Sequence, residues 1–468
     1  MRRAAFAPLL VFLASCLGPP YQQTPVAVPQ HWQETPGGVQ ELPVVGSLLP
    51  VSDPTLDALI IDAVSSNLDL RAAAARVREA RALRGITASR GKPQVAGNAS
   101  ALETERSDEV PPFNSLPPGI SFGDRRDPLF DAGFDASWEL DLFGGIRRDI
   151  EAAVAQVQAT DEARRDVQIT LIAEVARNYV ELRGAQRRLD VLDARIQTFR
   201  ETLEMVRSRQ AAGLTNDLDV VRSEALLDDA LAARPSLEFA SAAAMHRLAV
   251  LTGRQPEDLL TQLATHGPIP VVPPEIAAGI PIDVIERRPD IRRAERELAA
   301  ATARIDVARA DLYPRVSLLG TFGHRSDDAS DFLKSAGGYW SFGPALRWPL
   351  LTGGRVRGQI DAATARRDQA EAAFQQSILR AMEDVENSLA GYGRDQQERE
   401  RLAAAVDAEA RAVDLADSRY RAGLDSFLAV LDAQRTLRDG EDRLASAQTG
   451  VAVSAISLYK ALGGGQIQ

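Results

Sequence analysis

The sequence predicts a mainly α-helical, internally duplicated chain with four β-strands of the kind found in membrane barrels. The duplication is visible because Trp138 and Trp348, like Gly144 and Gly354, are 210 positions apart (348 − 138). In addition, each half contains two short segments of alternating apolar and polar residues, typical of barrel strands. Each half then continues into helical segments much longer than those of ordinary globular proteins. A repeat of this length decides the fold class and disfavours an enzyme with a single asymmetric site.

The repeat also sets the domain boundaries. Upstream of the strands the offset between the halves is 221 positions, because Pro93 corresponds to Pro314. One connection is therefore 11 residues longer in the first half (221 − 210). We predict a first structural repeat over residues 53–266 and a second over residues 275–468, separated by the proline-rich segment Gly267–Pro274.

Residues 1–15 are predicted to be a lipoprotein signal peptide. Arg2 and Arg3 precede an apolar run that is too short to span a bilayer, and small residues then lead to Cys16. This order resembles the bacterial lipobox, in which the cysteine carries covalent lipid and the signal is cut before it. Leu17 in place of aspartate implies sorting to the outer membrane. The alternative is an ordinary signal peptide followed by a chance cysteine.

The composition disfavours several classes of function. A net charge of −11 argues against nucleic-acid binding. The four histidines stand apart without metal-ligand spacing, and the single cysteine cannot form a disulfide within the chain. No GxSxG, Walker, HExxH or GxGxxG motif is present. We therefore expect no enzyme, no metal site and no cofactor other than the lipid on Cys16.

The segment that follows the signal leads into helices. Residues 16–52 are rich in proline and glutamine, lack periodicity, and are predicted to form an extended, lipid-anchored arm. Asp53 and Pro54 then provide an N-cap and a proline at the first helical position. One helix is predicted from there to about Arg90, and its counterpart in the second repeat from about Ile282 to Leu312.

After each of these helices the periodicity changes from helical to alternating. Strands are predicted at about 94–103, 129–140, 315–324 and 338–350. In the second of them, Asp131, Asp135 and Glu139 form one face and apolar residues the other, with tryptophan near the end. This pattern is typical of transmembrane barrel strands, whose polar side lines a lumen. The alternative is two half-buried hairpins of a soluble sheet with a solvated acidic face.

Two long helices follow each pair of strands, at about 144–251 and 354–462, turning near Gly213 and Gly423. At 1.5 Å per residue, the stretch between Gly144 and Gly213 would be roughly 100 Å long. Apolar residues along it are spaced alternately by three and four positions, which predicts a coiled-coil seam. The residues of this seam are Leu189, Leu192, Ile196, Phe199, Leu203 and Val206.

Four strands are too few to close a barrel, and open strand edges are not tolerated in lipid. If the strands enter a membrane, the chain must therefore oligomerise. Two copies would supply eight strands and three copies twelve. In a trimer, twelve strands would continue into twelve long helices around one axis, and the product would be a tube.

Taken together, these features resemble the outer-membrane efflux proteins of the TolC/OprM type, in their lipoprotein branch of NodT-like factors for RND efflux. The resemblance extends over essentially all of the mature chain. Besides the lipobox, the repeat and the strand pairs, it rests on three motifs, namely Arg209–Thr215, Arg419–Asp425 and Leu428–Gln434.

The resemblance implies a homotrimer with a 12-stranded β-barrel on an α-helical barrel, in the outer membrane of a Gram-negative bacterium and extending into the periplasm. It also implies two protein partners, a periplasmic adaptor (membrane fusion) protein and an inner-membrane RND-type pump. Docked to them, the channel would passively export small molecules such as drugs. Two alternatives remain: a duct for type I protein secretion, and a lipid-anchored periplasmic coiled-coil scaffold without a pore.

The resemblance also implies site residues. Leu428 and Asp432 match an apolar ring and an acidic ring at the periplasmic gate, and three copies of Asp432 would concentrate cations. Ala429 departs from the family, which often has a further acidic residue there. The alternative is that Leu428 is coiled-coil core and Asp432 is solvated.

The two helix turns are predicted to form the periplasmic tip, where the adaptor binds. Glycine suits the left-handed end of a helix, and the leucine that follows would be exposed. The alternative is a plain turn with a buried leucine. The predicted adaptor-contacting residues are Gly213, Leu214, Thr215, Gly423, Leu424 and Asp425.

Overall fold

The protein is described from a computed structural model. Cys16, the predicted signal peptide and most of the loop between the first two long strands lie outside the described residues. The structure describes residues 21, 29–34, 39–40, 49–51, 53–105, 107, 109, 126–272, 276–277, 281–331 and 334–464.

The first repeat begins with two helices, so the prediction of one continuous helix to Arg90 is wrong. Helix α1 spans Pro54–Ser66 and helix α2 spans Leu68–Ser89. The break lies at Asn67, whose backbone is extended with φ −60° and ψ 132°. Its side chain accepts a hydrogen bond from the N–H of Leu70 and donates one to the carbonyl oxygen of Leu251, 3.0 Å away. Asn67 therefore caps α2 and binds a distant helix end.

The equivalent helix of the second repeat is broken at the equivalent position, which also contradicts the predicted single helix over 282–312. Helices α6 and α7 span Pro281–Arg287 and Pro289–Ala310. Pro289 disfavours helical backbone at Arg288, the residue before it. Arg288 is buried, and its Nη1 donates to the carbonyl oxygen of Ala461 at 2.7 Å. The break thus recurs 221 positions later (288 − 67) with different chemistry.

The four predicted strands form one antiparallel sheet, and their observed ends lie within about three residues of the predicted ones. They are β2 (Gln94–Glu105), β3 (Arg126–Leu140), β5 (Arg315–Ser326) and β6 (Gly338–Arg347), with a 3-10 turn at Ser335–Gly337 before β6. The order in the sheet is β2-β3-β5-β6. Strands β2 and β6 are therefore its edges within the described part of the chain.

Long helices follow each pair of strands, as predicted. They are α3 (Gly145–Ala211), α4 (Asp217–Leu251), α8 (Arg355–Arg421) and α9 (Phe427–Ala461), with a short α5 at Leu260–Leu263. Helices α3 and α8 each contain 67 residues, and helices α4 and α9 each contain 35. The six residues of the predicted coiled-coil seam are all buried, and its middle packs against Ala230 on the returning helix.

The chain divides into two compact units, and each contains parts of both predicted repeats. The strand-bearing unit comprises residues 1–24, 78–159 and 295–373. The second unit comprises residues 25–77, 160–294 and 374–468. In the second unit the duplication extends to the core, since Val175 and Leu248 are fully buried in one cluster and Val385 and Leu458 in another.

The predicted extended arm contributes to the second unit. Trp32 is buried in the cluster that contains Val385 and Tyr392. The strand β1 (Val39–Gln40) pairs in parallel with β4 (Ile276–Ala277), in the region between the repeats. Within the described residues, none of the helices combines the length and the hydrophobicity that crossing a membrane requires.

Candidate functional site

The two long helix pairs turn in the same way. At the first turn, the N–H of Gly213 donates to the carbonyl of Gln210 and the N–H of Leu214 to that of Arg209, both at 2.9 Å. The equivalent bonds at the second turn, made by Gly423 and Leu424, have the same lengths. Both glycines have positive φ, +71° and +70°, which side chains with a Cβ rarely adopt. The glycines are therefore required by the turn itself.

The leucine after each glycine is exposed. Leu214 is 66% and Leu424 is 70% exposed. The alternative of a plain turn with a buried leucine is therefore wrong for the single chain. A large apolar side chain at the end of a helix pair leaves area that another molecule can cover. Both leucines directly follow the glycines at which the helix pairs turn, and their role as an adaptor-contacting tip stays a prediction.

The two turns differ in their polar contacts. At the first turn, the Thr215 hydroxyl donates to the carboxylate of Asp219. At the second, Asp425 accepts hydrogen bonds from the N–H of Ser426 at 2.9 Å and from Arg419 at 3.2 Å. These bonds, first that of Ser426 and then that of Arg419, hold the pKa of Asp425 below its ordinary value. At the second turn Asp425 is therefore held in its ionised form and is paired with the guanidinium of Arg419.

An aromatic and cationic contact joins the helices next to the turns. The guanidinium of Arg209 lies over the ring of Tyr420, 5.0 Å from its centroid, and Tyr420 packs against Phe427 at 5.3 Å. Val206 is buried with Phe427 and Leu431 in one cluster. The two turns are therefore neighbours. In the sequence, Arg209 and Tyr420 belong to two separate family motifs, and nothing in the local pattern predicts that they pair.

Leu428 and Asp432 lie one helical turn apart near the start of α9. Both are exposed, Leu428 at 53%, whereas Phe427, Val430 and Leu431 of the same helix are buried. Residues four apart share a helix face, and here that face is opposite the packed one. Leu428 is therefore not core within one chain, and the Leu428–Asp432 face is free for a pore or for another copy.

The sheet separates apolar from polar side chains as predicted. The register aligns Phe134, Phe322 and Trp340 on one face, and all three are exposed. At one end of the sheet the indole N–H of Trp138 donates to the carbonyl of Gly91, and that of Trp348 to the carbonyl of Leu312. Both tryptophans are thus fixed where strand meets helix.

The polar face is not uniformly acidic, which corrects the simple expectation of a solvated acidic face. Asp131 is buried and accepts a 2.7 Å hydrogen bond from Nε of Arg325. Tyr339 also reaches Asp131 with its hydroxyl at 3.3 Å, passing over Gly323, which has no side chain to obstruct it. One of the three predicted acidic residues is therefore compensated by a cation. This neutralisation depends on residues nearly 200 positions away.

Among the described residues, no group of His, Cys, Asp and Glu side chains is arranged to hold a metal ion. Many charged side chains form arginine–carboxylate pairs along or between helices, such as Arg188 with Asp442 at 2.7 Å. Exposed pairs of this kind contribute little stability individually. The candidate functional surfaces are therefore the two turns, the Leu428–Asp432 face and the exposed apolar face of the sheet.

Comparison with known proteins supports the same interpretation. The family model described as outer membrane efflux protein matches the chain over residues 59–254 and 280–464. The solvent efflux pump outer membrane protein SrpC of Pseudomonas putida is 34% identical over 466 residues, covering 97% of both chains. The pyoverdine export outer membrane protein OpmQ of the same species is 32% identical, covering 99% of this chain and 97% of the relative.

A solved structure, that of the outer-membrane channel OprN, superposes with a TM-score of 0.87 at 35% identity. The match covers 96% of this chain and 99% of that one. The fold class predicted from the sequence is thereby confirmed, together with the location in the outer membrane. The chain belongs to the outer membrane efflux protein family, and it is an efflux channel of the Gram-negative outer membrane rather than an enzyme.

Proposed function

We propose that three copies of this chain form the outer-membrane duct of a tripartite efflux system. The observation that carries this proposal is the four-stranded sheet, with an exposed aromatic face and two unpaired edges, β2 and β6, in the described part of the chain. Backbone groups at such edges must be paired inside a lipid bilayer. Pairing β6 of one copy with β2 of the next closes a barrel, and three copies supply twelve strands.

In this trimer, Leu428 and Asp432 form the narrowest points of the periplasmic end. Their exposure on the face of α9 opposite its packing supports this role. Three leucines give an apolar constriction, and three carboxylates one turn away attract cations to it. A closed resting state held at this point keeps the outer membrane sealed until a partner opens it.

The two turns form the surface that receives a periplasmic adaptor. Leu214 and Leu424 supply apolar area, and Thr215 and Asp425 supply polar groups beside it. The adaptor in turn connects the duct to an inner-membrane RND-type pump, which supplies the energy, so that transport through the duct itself is passive.

The cargo is proposed to be small molecules. The names of both relatives described above mention their cargo, solvent for SrpC and pyoverdine for OpmQ. A duct for type I protein secretion has the same architecture with a polypeptide cargo, and it remains the second candidate. Deletion of the gene distinguishes them: loss of small-molecule resistance supports the first, and loss of a secreted protein supports the second.

The assembly is tested with protein extracted from the outer membrane. We expect a trimer by size-exclusion chromatography with light scattering, and discrete ion-conducting channels when it is inserted into planar bilayers. Protein carrying a proline at Ser341 in the middle of β6 is the control, because it removes a ladder hydrogen bond in addition to the one that the native Pro344 already lacks, and it should weaken barrel closure. A monomer that forms no channels would contradict the proposed duct and favour the scaffold without a pore.

Lipid on Cys16 is proposed to anchor the arm in the outer membrane. Cys16→Ser removes the thiol that accepts the lipid, so incorporation of labelled palmitate should be lost and signal removal should slow. The trimer should persist, because the strands hold it in the membrane independently. Cys16→Ser protein that labels with palmitate as strongly as the parent would show that the lipobox assignment is wrong.

A further inference from the structure

An arginine-rich cavity lies in the strand-bearing unit, beneath the sheet. It has a volume of about 620 Å³ and is bounded by the end of β3, the start of α3, the second half of α7 and the first turns of α8. Five arginines line it, which is an unusual concentration for one cavity in a chain of net charge −11. They are Arg90, Arg304, Arg315, Arg355 and Arg366.

Two of these arginines are neutralised and three are not. Arg90 pairs with Asp149, and Arg315 pairs with Asp311. By contrast, Arg355 donates only to the neutral amide of Gln359, at 2.9 Å. Arg304 and Arg366 have no hydrogen-bond or ion-pair partner among the described residues, and both are exposed.

The carboxylates of the cavity do not balance this charge. Asp311 is already paired with Arg315, and Asp141 accepts a 3.2 Å hydrogen bond from Arg147. Glu139 alone lines the cavity without an ion pair among the described residues. Three guanidinium groups therefore face one free carboxylate.

The internal repeat provides a comparison inside the molecule. At the start of α3, the Asp141 carboxylate accepts hydrogen bonds from the N–H groups of Ile146 at 3.1 Å and Arg147 at 2.8 Å, as well as from the Arg147 side chain. The position that corresponds to Asp141 in the second repeat is Leu351 (141 + 210), which is 97% exposed. Of the two arginines at the start of α3, the second repeat keeps only Arg147, as Arg357 (147 + 210), and it lacks the carboxylate that binds Arg147 in the first repeat.

We propose that the cavity binds an oxyanion, the phosphate group of an anionic phospholipid or of a soluble phosphate compound, held by Arg304, Arg355 and Arg366. The planar guanidinium group matches phosphate with two parallel hydrogen bonds, and three such groups around one cavity offset the charge of the ligand. The lining residues Glu139 and Leu140 directly follow Trp138, and tryptophan is enriched at membrane interfaces, so a lipid headgroup can reach this level.

The test uses full-length protein purified in a non-ionic detergent. Binding of inorganic phosphate and of short-chain phosphatidylglycerol is measured by isothermal titration calorimetry, with short-chain phosphatidylcholine as the zwitterionic control. In the double variant Arg304→Gln/Arg366→Gln, we expect affinity to fall by about tenfold or more, since two charge-assisted hydrogen-bonding groups are lost. Both residues are exposed, so the fold should be retained, and circular dichroism checks this.

Two further variants sharpen the test. Arg357→Gln is the matched control, because Arg357 lies in the same first turn of α8, is exposed, and does not line the cavity. It should leave binding unchanged. Leu351→Asp places a carboxylate where the first repeat has Asp141. By the geometry of the first repeat it would pair with Arg357, outside the cavity, so it should also leave binding unchanged.

The two ligands distinguish a site for soluble phosphate compounds from a site for lipid headgroups. Binding of both phosphate and phosphatidylglycerol supports an oxyanion site open to soluble compounds. Binding of phosphatidylglycerol alone supports a lipid headgroup site. Phosphatidylcholine binding as tight as phosphatidylglycerol binding, equal losses in Arg357→Gln and the double variant, or no binding of either anionic ligand would overturn the proposal.

Discussion

Leu428→Ala will raise the single-channel conductance of the purified trimer, and Asp432→Asn will relieve its block by divalent cations. The first change widens an apolar constriction, because leucine is replaced by a smaller side chain in all three copies at once. The second removes three negative charges from one narrow ring, and such a ring raises the local cation concentration by about tenfold or more. The two variants should therefore separate pore width from ion affinity in planar-bilayer recordings.

The chain offers matched controls for both variants. Leu415→Ala shortens a leucine that is similarly exposed on α8, and Asp407→Asn removes an exposed carboxylate from the same helix. Neither belongs to the proposed gate, so both should leave conductance and cation block unchanged. If the gate variants instead conduct like the parent while their melting temperatures fall, Leu428 and Asp432 pack between copies and do not form a gate.

Arg288→Ala will destabilise the protein by about 1.5–3 kcal/mol, because it removes the hydrogen bonds of a buried cation, while the two carboxylates that it binds keep contact with water. The Arg288 side chain is buried, binds Asp290 through two nitrogens, reaches Asp384 at 3.0 Å and donates to the Ala461 carbonyl. Burial by itself lowers the pKa of Arg288, but the bonds to the two aspartates outweigh it, and the pKa is raised overall. Removing the cation leaves a carbonyl and two carboxylates without their partner.

The melting temperature of the purified protein in detergent measures this effect. Arg287→Ala is the control, since Arg287 is the exposed neighbour in the chain. Arg288→Lys should recover only part of the loss, because an ammonium group keeps the charge and cannot reproduce the planar fork. If Arg288→Ala and Arg287→Ala have the same melting temperature, the bonds of Arg288 do not hold the end of α9.

Replacement of Asn67, the equivalent residue of the first repeat, should destabilise the protein in the same way but by less. Asn67 binds the Leu251 carbonyl where Arg288 binds that of Ala461, and these two carbonyls are themselves 210 positions apart (461 − 251). Each repeat therefore fastens the end of its returning helix to the break between its first two helices. Asn67 is neutral, so its loss removes hydrogen bonds but leaves no carboxylate without its cation.

These bonds between distant residues could not be predicted from the sequence. Periodicity placed the helices of both repeats, but it predicted each first helix as continuous. The breaks at Asn67 and Arg288 are stabilised by bonds to residues 184 and 173 positions away. A local pattern contains no information about such partners. Trp32 is a similar case, since its burial against Val385 and Tyr392 depends on chain segments that the composition of the arm does not reveal.

The sequence by itself determined the duplication, the alternation that became four strands, the coiled-coil seam and the two glycine turns. Each of these is a local property, because side-chain period and backbone freedom are decided by neighbouring residues. The tertiary structure decided which polar residues are neutralised, as Asp131 is by Arg325, and which are left exposed, as Asp432 is. It also gathered, around one cavity, three arginines that have no ion-pair partner in the described part of the chain. Those outcomes depend on contacts between distant segments, and burial and charge compensation arise only when the elements pack together.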